Sequence, residues 1–269
     1  MRLLINKIVL GLCSLAALVG LVFLGWILTT LIIKGTEALS PYIFTNDLIN
    51  NGIRNLLVGQ FMLAGIATVF GIPIGIMAGI YLQEYGNGTK YAEFIRDLSD
   101  IMISAPSIVI GTFVYAIIVI PTGHTSGWAG IFALFIMMLP IVVRATDDML
   151  SLVPTELREA GIAIGAPKYH VITHIILRAA KVGIVTGLIL AFARVVGETA
   201  PLLYTSGSSV YWSHDLSETF PSITVSIYNL ATMPDEKMVQ LAWAAALVLT
   251  FAVLLLNLLG RFVIREKHH

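Results

Sequence analysis

The chain has 269 residues, of which 57% are apolar and only 12% charged, with a mean hydropathy of +0.89. A globular domain carries about 25% charged residues, so this composition excludes disorder and argues against a water-soluble domain: most of the surface faces lipid. The sixteen basic and sixteen acidic side chains cancel to a formal charge of +0, which gives no net pull toward nucleic acid, and the single Cys13 rules out an intrachain disulfide or a multi-cysteine metal site.

The first apolar stretch, between Lys7 and Lys34, holds 26 uncharged residues. At a rise of about 1.5 Å per residue this exceeds the ~30 Å hydrocarbon core, so it can span. Arg2 and Lys7 ahead of it have the look of a secretory signal, but a signal's apolar region is only about 7–15 residues long. An uncleaved first helix over 8–33 is therefore expected. The same test predicts spans over 56–82, 101–120, 127–143, 182–204 and 238–260. The expected fold is an all-α polytopic membrane protein of six transmembrane helices, forming one domain over 1–269. The fourth span, with 17 residues, is at the short end of the window, and Pro121 to Gly127 reads as the turn before it. In the second span Gly71, Gly75 and Gly79 recur every four residues around Pro73, a pattern of close helix packing.

Basic residues set the orientation. With the amino terminus inside, twelve fall on inside segments, three (Lys34, Arg54 and Lys237) fall outside, and Arg194 lies within a span. That bias predicts both termini on the cytoplasmic side. Inside, Arg144–Lys181 is long and charged; outside, Ser206–Lys237 is polar with aromatics. Asp147 and Asp148 point about 100° apart on a helix and read as solvated surface charge. His268 and His269 are assigned no function.

Within the charged inside segment, Pro154 and Gly165-Ala166-Pro167 bracket a short helix. Thr155 is placed to cap it, Glu156 suits its positive end, and Gly165 with Pro167 supplies the stop. Leu157, Ala160, Gly161 and Ile164 make an apolar stripe opposite Arg158 and Ile162. At roughly 15 Å it cannot span, and periodicity alone favours a helix lying on lipid headgroups. His170 and His174 are four apart, but no Glu follows His170 and no third ligand is evident, so no metal site is expected. Ser206-Gly207-Ser208-Ser209 lacks the spacing of a nucleophile elbow, and no catalytic residues are assigned.

The most costly placement is Arg194 with Glu198 inside the fifth span, since an ionised side chain near the bilayer centre costs about 2.5–3.5 kcal/mol on insertion scales. On a continuous helix Gly183, Gly187, Ala191, Arg194, Glu198, Pro201 and Thr205 share a sector of roughly 80°. One reading is an ion pair that fixes packing. The other is a pathway for an anion, in which Arg194 lowers the barrier, Glu198 prevents over-tight binding, and Thr205 keeps the outer part hydrated. The planar fork of Arg suits phosphate or sulfate, and composition does not choose between them.

Two stretches resemble a known family. Glu159-Ala160-Gly161, three residues, Gly165, nine residues, Ile175, one residue and Leu177 resembles the cytoplasmic EAA loop of ABC importer permeases, with Gly161 where the family has Ala and Arg178 where it has Pro. Ala193-Arg194-Val195-Val196-Gly197-Glu198-Thr199-Ala200-Pro201-Leu202-Leu203 looks like the corresponding stretch of the PstA-type permease subunits of bacterial phosphate ABC importers. Ala105–Gly111, Phe113-Val114-Tyr115, Leu139–Arg144 and Leu241–Leu247 are also similar, so the likeness runs from the third span to the last. The first hundred residues agree mainly in hydropathy and topology.

The resemblance implies a multi-pass protein of the bacterial plasma (inner) membrane that moves inorganic phosphate inward. It implies a homologous second permease, an extracytoplasmic phosphate-binding protein and two ATPase subunits. Arg194 and Glu198 carry over as pathway charges, with Arg144 at the inner end of the fourth span. Glu156, Arg158, Glu159, Ala160, Gly161 and Gly165 carry over as the helix region, 155–165, that docks on the ATPase. No G-x-x-x-x-G-K-[ST] loop occurs in the chain, so no cofactor is expected in it, and ATP and Mg are expected on the partner ATPase subunits. The alternatives are a permease for another oxyanion such as sulfate or molybdate, and an ATP-independent anion channel or secondary carrier.

Overall fold

The computed structural model describes residues 2–265, which leaves Lys267, His268 and His269 outside the described residues. Among the described residues the regular structure is helical. Five helices are long and apolar enough to cross a membrane, and a bent pair makes a sixth.

The first helix, α1 (Arg2–Glu37), has most of its described side chains exposed around its whole circumference. A helix apolar on every side is a lipid-facing span. It meets the last helix near its end, where a Cβ on Gly35 would stand 2.7 Å from Leu247 Cβ and Lys34 lies 5.3 Å over the Trp243 ring. Helix α2 (Arg54–Ile80) follows and ends in a widened π-turn, Tyr81–Tyr85, closed by Gly86 N donating to Tyr81 O at 2.8 Å.

The third span is not one helix. Helix α3 (Lys90–Ser104) and helix α4 (Ser107–Thr122) meet at 99°. Pro106 causes the break: it lacks an N–H and disfavours helical backbone in the residue before it, and Ala105 is extended at φ −65°, ψ 139°. Tyr91, Phe94, Leu98 and Ile101 are exposed along one side of α3, while Ala92 and Ser99 are buried on another. The expected span over 101–120 had joined the last turn of this amphipathic helix to α4.

Helix α5 (Gly127–Ser151) runs past the expected end at Val143 and is the most enclosed of the candidate spans. The charges that had marked its end, Arg144 and Asp147, are paired with Asp100 and Arg96 of α3, so the helix continues through them. Its closest partner is α2. A Cβ on Gly75 would stand 2.6 Å from Val142 Cγ1, and one on Gly79 would stand 2.6 Å from Thr146 Cβ. The glycine series is therefore the seam on which these helices approach.

After the short α6 (Thr155–Ala163), helix α7 (Lys168–Val196) begins well before the expected 182, because Arg178 and Lys181 kept its first turns out of any apolar window. It also stops before the expected 204. The chain breaks at 197–199 and resumes as α8 (Ala200–Thr205). The segment 206–222 then folds back into the bundle: Gly127 N and Trp128 N donate to Glu218 O and Leu216 O at 3.0 Å, and Phe220 is fully buried in the core that holds Leu63, Leu134 and Leu202. Ser222 caps α9 (Ile223–Ala231), and α10 (Glu236–Arg265) closes the bundle.

Candidate functional site

The break between α7 and α8 is built from its sequence. Gly197 (φ −88°, ψ −1°) ends the last turn, and Pro201 lacks the N–H that would bond back to Gly197 O in a continuous helix. A broken helix in an apolar interior strands carbonyls, at about 1–3 kcal/mol each if they stay unpaired. Two buried polar side chains answer them, and a third supports one of the two. Gln60 Nε2 donates to Val196 O at 2.9 Å, and Thr224 Oγ1 donates to Glu198 O at 2.9 Å. Gln60 Oε1 in turn accepts from Ser222 Oγ at 2.8 Å. None of these residues stood out in the sequence reading. The available signal was that Gln60 is the one amide side chain in the second span.

Arg194 occupies the last turn of α7 and Glu198 lies in the break, with Nε and Oε1 3.5 Å apart. The two are therefore brought together, though not on one continuous helix as expected. The Arg194 side chain is 48% exposed and that of Glu198 16%. Leu190, Arg194 and Gly197 form an open strip of this single chain, with Tyr204 beyond it in edge contact with Tyr115.

The other members of the predicted sector do not share that strip. Gly183 and Gly187 are closed off by Met149 and Ala145 of α5, and Ala191 is buried. Thr205 is fully buried, its hydroxyl donating to Pro201 O at 2.7 Å. For Thr205 the physical reason is the break: past Val196 the helical phase that put it in line with Arg194 no longer holds, whereas Gly183 and Gly187 are covered by α5.

Arg144 belongs to a different group. Asp100 holds its guanidinium at 2.9 Å, with Asp147 at 3.5 Å and Asp148 at 3.6 Å. Asp147 is not the surface residue expected. Its side chain is only 4% exposed and accepts from Arg96 Nε at 2.7 Å and Nη2 at 2.9 Å. This bidentate pairing fastens α3 to α5. Of Arg96, Arg144, Arg158 and Arg194, the last makes no side-chain hydrogen bond among the described residues. Its Nε stands 3.5 Å from Glu198 Oε1, and the rest of the half-exposed guanidinium offers donors that suit oxygens of an anion.

In α6 the cap position is Pro154, and Thr155 is the first helical residue with no side-chain capping bond, contrary to expectation. A cap needs extended backbone one residue ahead of the helix, and the rigid ring of Pro154 takes that place. Gly165 ends the segment in left-handed backbone at φ +82°. The expected apolar stripe is divided. Gly161 is buried, with a Cβ there 2.9 Å from Val171, whereas Leu157, Ala160 and Ile164 are exposed. Glu156 and Glu159 are exposed with them. Arg158, expected opposite the apolar stripe of the docking helix, is turned into the protein, where it pairs with Glu84. His170 and His174 stack with ring centroids 4.0 Å apart.

The family model for binding-protein-dependent transport system inner membrane components matches residues 71–265. The phosphate transport system permease protein PstA of Yersinia pestis is 46% identical over 98% of this chain and 91% of its own length. That of Haemophilus influenzae is 47% identical over 97% and 94%, and PstA 1 of Mycobacterium tuberculosis is 39% identical over 79% and 70%. Among solved structures, an inward-facing MetNI methionine ABC transporter chain aligns with a TM-score of 0.64 at 18% identity, covering 86% of this chain and all of that one. A chain of a bacterial ABC transporter for alginate import aligns at 0.60 and 15%, covering 81% and 80%. The two structures share the fold; the sequence relatives go further, and the chain belongs to the PstA family of phosphate transport system permease proteins, within the binding-protein-dependent transport system inner membrane components.

Proposed function

We propose that the chain is the permease subunit of an ATP-driven importer that carries inorganic phosphate inward across the bacterial inner membrane. The observation that carries this reading is 43–47% identity, over nearly the whole chain, to permeases named for phosphate transport. Arg194 supplies open donors for an oxyanion, and the adjacent Glu198 keeps binding weak enough for release. The chain works with a homologous second permease that completes the pathway, an extracytoplasmic binding protein that delivers phosphate, and two ATPase subunits that bind ATP and Mg.

In this reading both termini and α6 are cytoplasmic, which the bias in basic residues supports. The exposed Glu156, Glu159, Ala160 and Ile164 face the ATPase, and Gly165 sets the angle at which α6 leaves the bundle. Helices α5 and α7, which flank α6 in sequence, carry its motion toward the break beside Arg194. The test is uptake of labelled phosphate by vesicles containing the complete complex. ATP-dependent uptake that excess sulfate and molybdate leave unchanged supports the proposal. Uptake without ATP, or uptake displaced by those anions, contradicts it.

A further inference from the structure

Arg158 and Glu84 stand where four helices converge. From α6, Arg158 donates to Glu84 Oε1 through Nη2 at 2.8 Å and Nε at 3.1 Å, to Leu150 O at 2.8 Å and to Val153 O at 2.5 Å. Leu150 O belongs to the last turn of α5 and also accepts from Val153 N at 3.2 Å. Glu84 lies on the π-turn that closes α2, and its backbone carbonyl accepts from Lys168, the first residue of α7, whose ammonium sits 4.4 Å from the Tyr85 ring centroid. Arg96 of α3 reaches the same turn and donates to Leu82 O at 3.2 Å. Such π-turns interrupt the regular ladder and are frequent at functional positions.

The side chains of Arg158 and Glu84 are 19% and 5% exposed. A buried ion pair is a poor way to gain stability, since apolar packing of the same volume serves as well, and its particular contribution is directional geometry. Here that geometry ties α6 to an element far from it in sequence. Apart from its short connections to α5 and α7, α6 rests on α7 through Gly161 against Val171 and Ile175.

We propose that the Glu84–Arg158 pair is the joint through which displacement of α6 reaches α2. From there the close α2–α5 seam and the Gln60–Val196 bond carry it to the break beside Arg194. Both are positioning residues, since neither touches substrate. The proposal rests on the reading of α6 as the helix that docks on the ATPase.

The test uses the complete complex in vesicles and reads phosphate taken up per ATP hydrolysed, with assembled complex quantified in the same samples. Glu84→Gln removes the charge at nearly constant volume, and Glu84→Asp keeps the charge one methylene shorter. The joint predicts that Glu84→Gln lowers the ratio roughly five- to tenfold, in the range of ordinary coupling between sites, with Glu84→Asp between it and the parent. In a Cys13→Ser background, the pair Glu84→Cys and Arg158→Cys should have a low ratio that rises when a short thiol-to-thiol linker joins the two positions. An unchanged ratio in Glu84→Gln, or a linked pair whose ratio stays low, overturns the joint. So does uptake that falls only in proportion to assembled complex in both Glu84 variants, because the pair then merely holds the fold. The docking reading is tested separately by Ile164→Asp on the exposed side: retained ATPase and undiminished uptake there would reject docking itself. A defective Ile164→Asp beside an unaffected Glu84→Gln rejects only the joint.

Discussion

Gln60 donates from Nε2 to the carbonyl oxygen of Val196 at 2.9 Å, across a sequence separation of 136 residues. This bond fixes the end of α7 against α2 and therefore fixes where Arg194, two residues earlier, emerges. Gln60→Leu should leave Val196 O buried without a partner and destabilise the protein by about 1–3 kcal/mol. The measurement is the thermal unfolding midpoint of the purified complex in detergent, which should fall. An unchanged midpoint would show that the carbonyl finds another donor.

The α2–α5 seam makes an independent prediction. A side chain at Gly75 would overlap Val142, whereas a Cβ at Gly20 on the lipid-facing α1 meets nothing within 4 Å. Gly75→Val should therefore overpack the seam at about 1–3 kcal/mol and reduce the yield of folded protein, while Gly20→Val should not. Size-exclusion profiles of the two variants at equal expression would separate them.

At Gly165 the constraint is backbone rather than space. Its φ is +82° and a Cβ there meets nothing within 4 Å. Asn tolerates left-handed backbone, but a β-branched side chain does not, at a cost of about 1–2 kcal/mol. Gly165→Asn should keep phosphate uptake coupled to ATP hydrolysis, and Gly165→Val should uncouple them. Equal ratios in the two variants would contradict a requirement for this conformation.

Much of this fold was legible in the sequence, and the parts that were not share a cause. Hydropathy finds apolar length but carries no information on direction. A window over 101–120 therefore merged α3 with α4, although Pro106 was there to mark the 99° turn. Charge ended the expected fourth span at Val143, yet Arg144 and Asp147 lie within α5, because their partners Arg96 and Asp100 come from a helix distant in sequence. Helical phase brought Arg194 and Glu198 together on paper, and the two do meet, although Glu198 lies in the break beyond α7. It then overreached to Thr205 across a break whose carbonyls are satisfied by Gln60 and Thr224. Arg158 was visible as a charge on α6, but its partner Glu84 lies 74 residues away, so the side it faces was not.

The arginines divide into two kinds, and substitution should tell them apart. Arg144 is held by three carboxylates, one of them the buried Asp147. Removing one partner of a buried ion pair costs about 3–5 kcal/mol when the other is left uncompensated, so Asp147→Asn should deplete folded protein by stranding Arg96. Arg194, half exposed and 3.5 Å from the one carboxylate of Glu198, is held more loosely, so its removal should deplete folded protein less than loss of Asp147 does. Quantifying membrane-inserted, detergent-soluble protein for Asp147→Asn and Arg194→Ala would show the difference.

Phosphate uptake by Arg194→Ala, at matched amounts of assembled complex and with ATPase activity recorded alongside, tests the central claim most directly. The account predicts uptake at least roughly tenfold lower, the loss expected when a charged donor pair to an oxyanion is removed, while the complex still assembles and hydrolyses ATP. Undiminished uptake by Arg194→Ala would show that phosphate does not pass this residue, and would contradict the account.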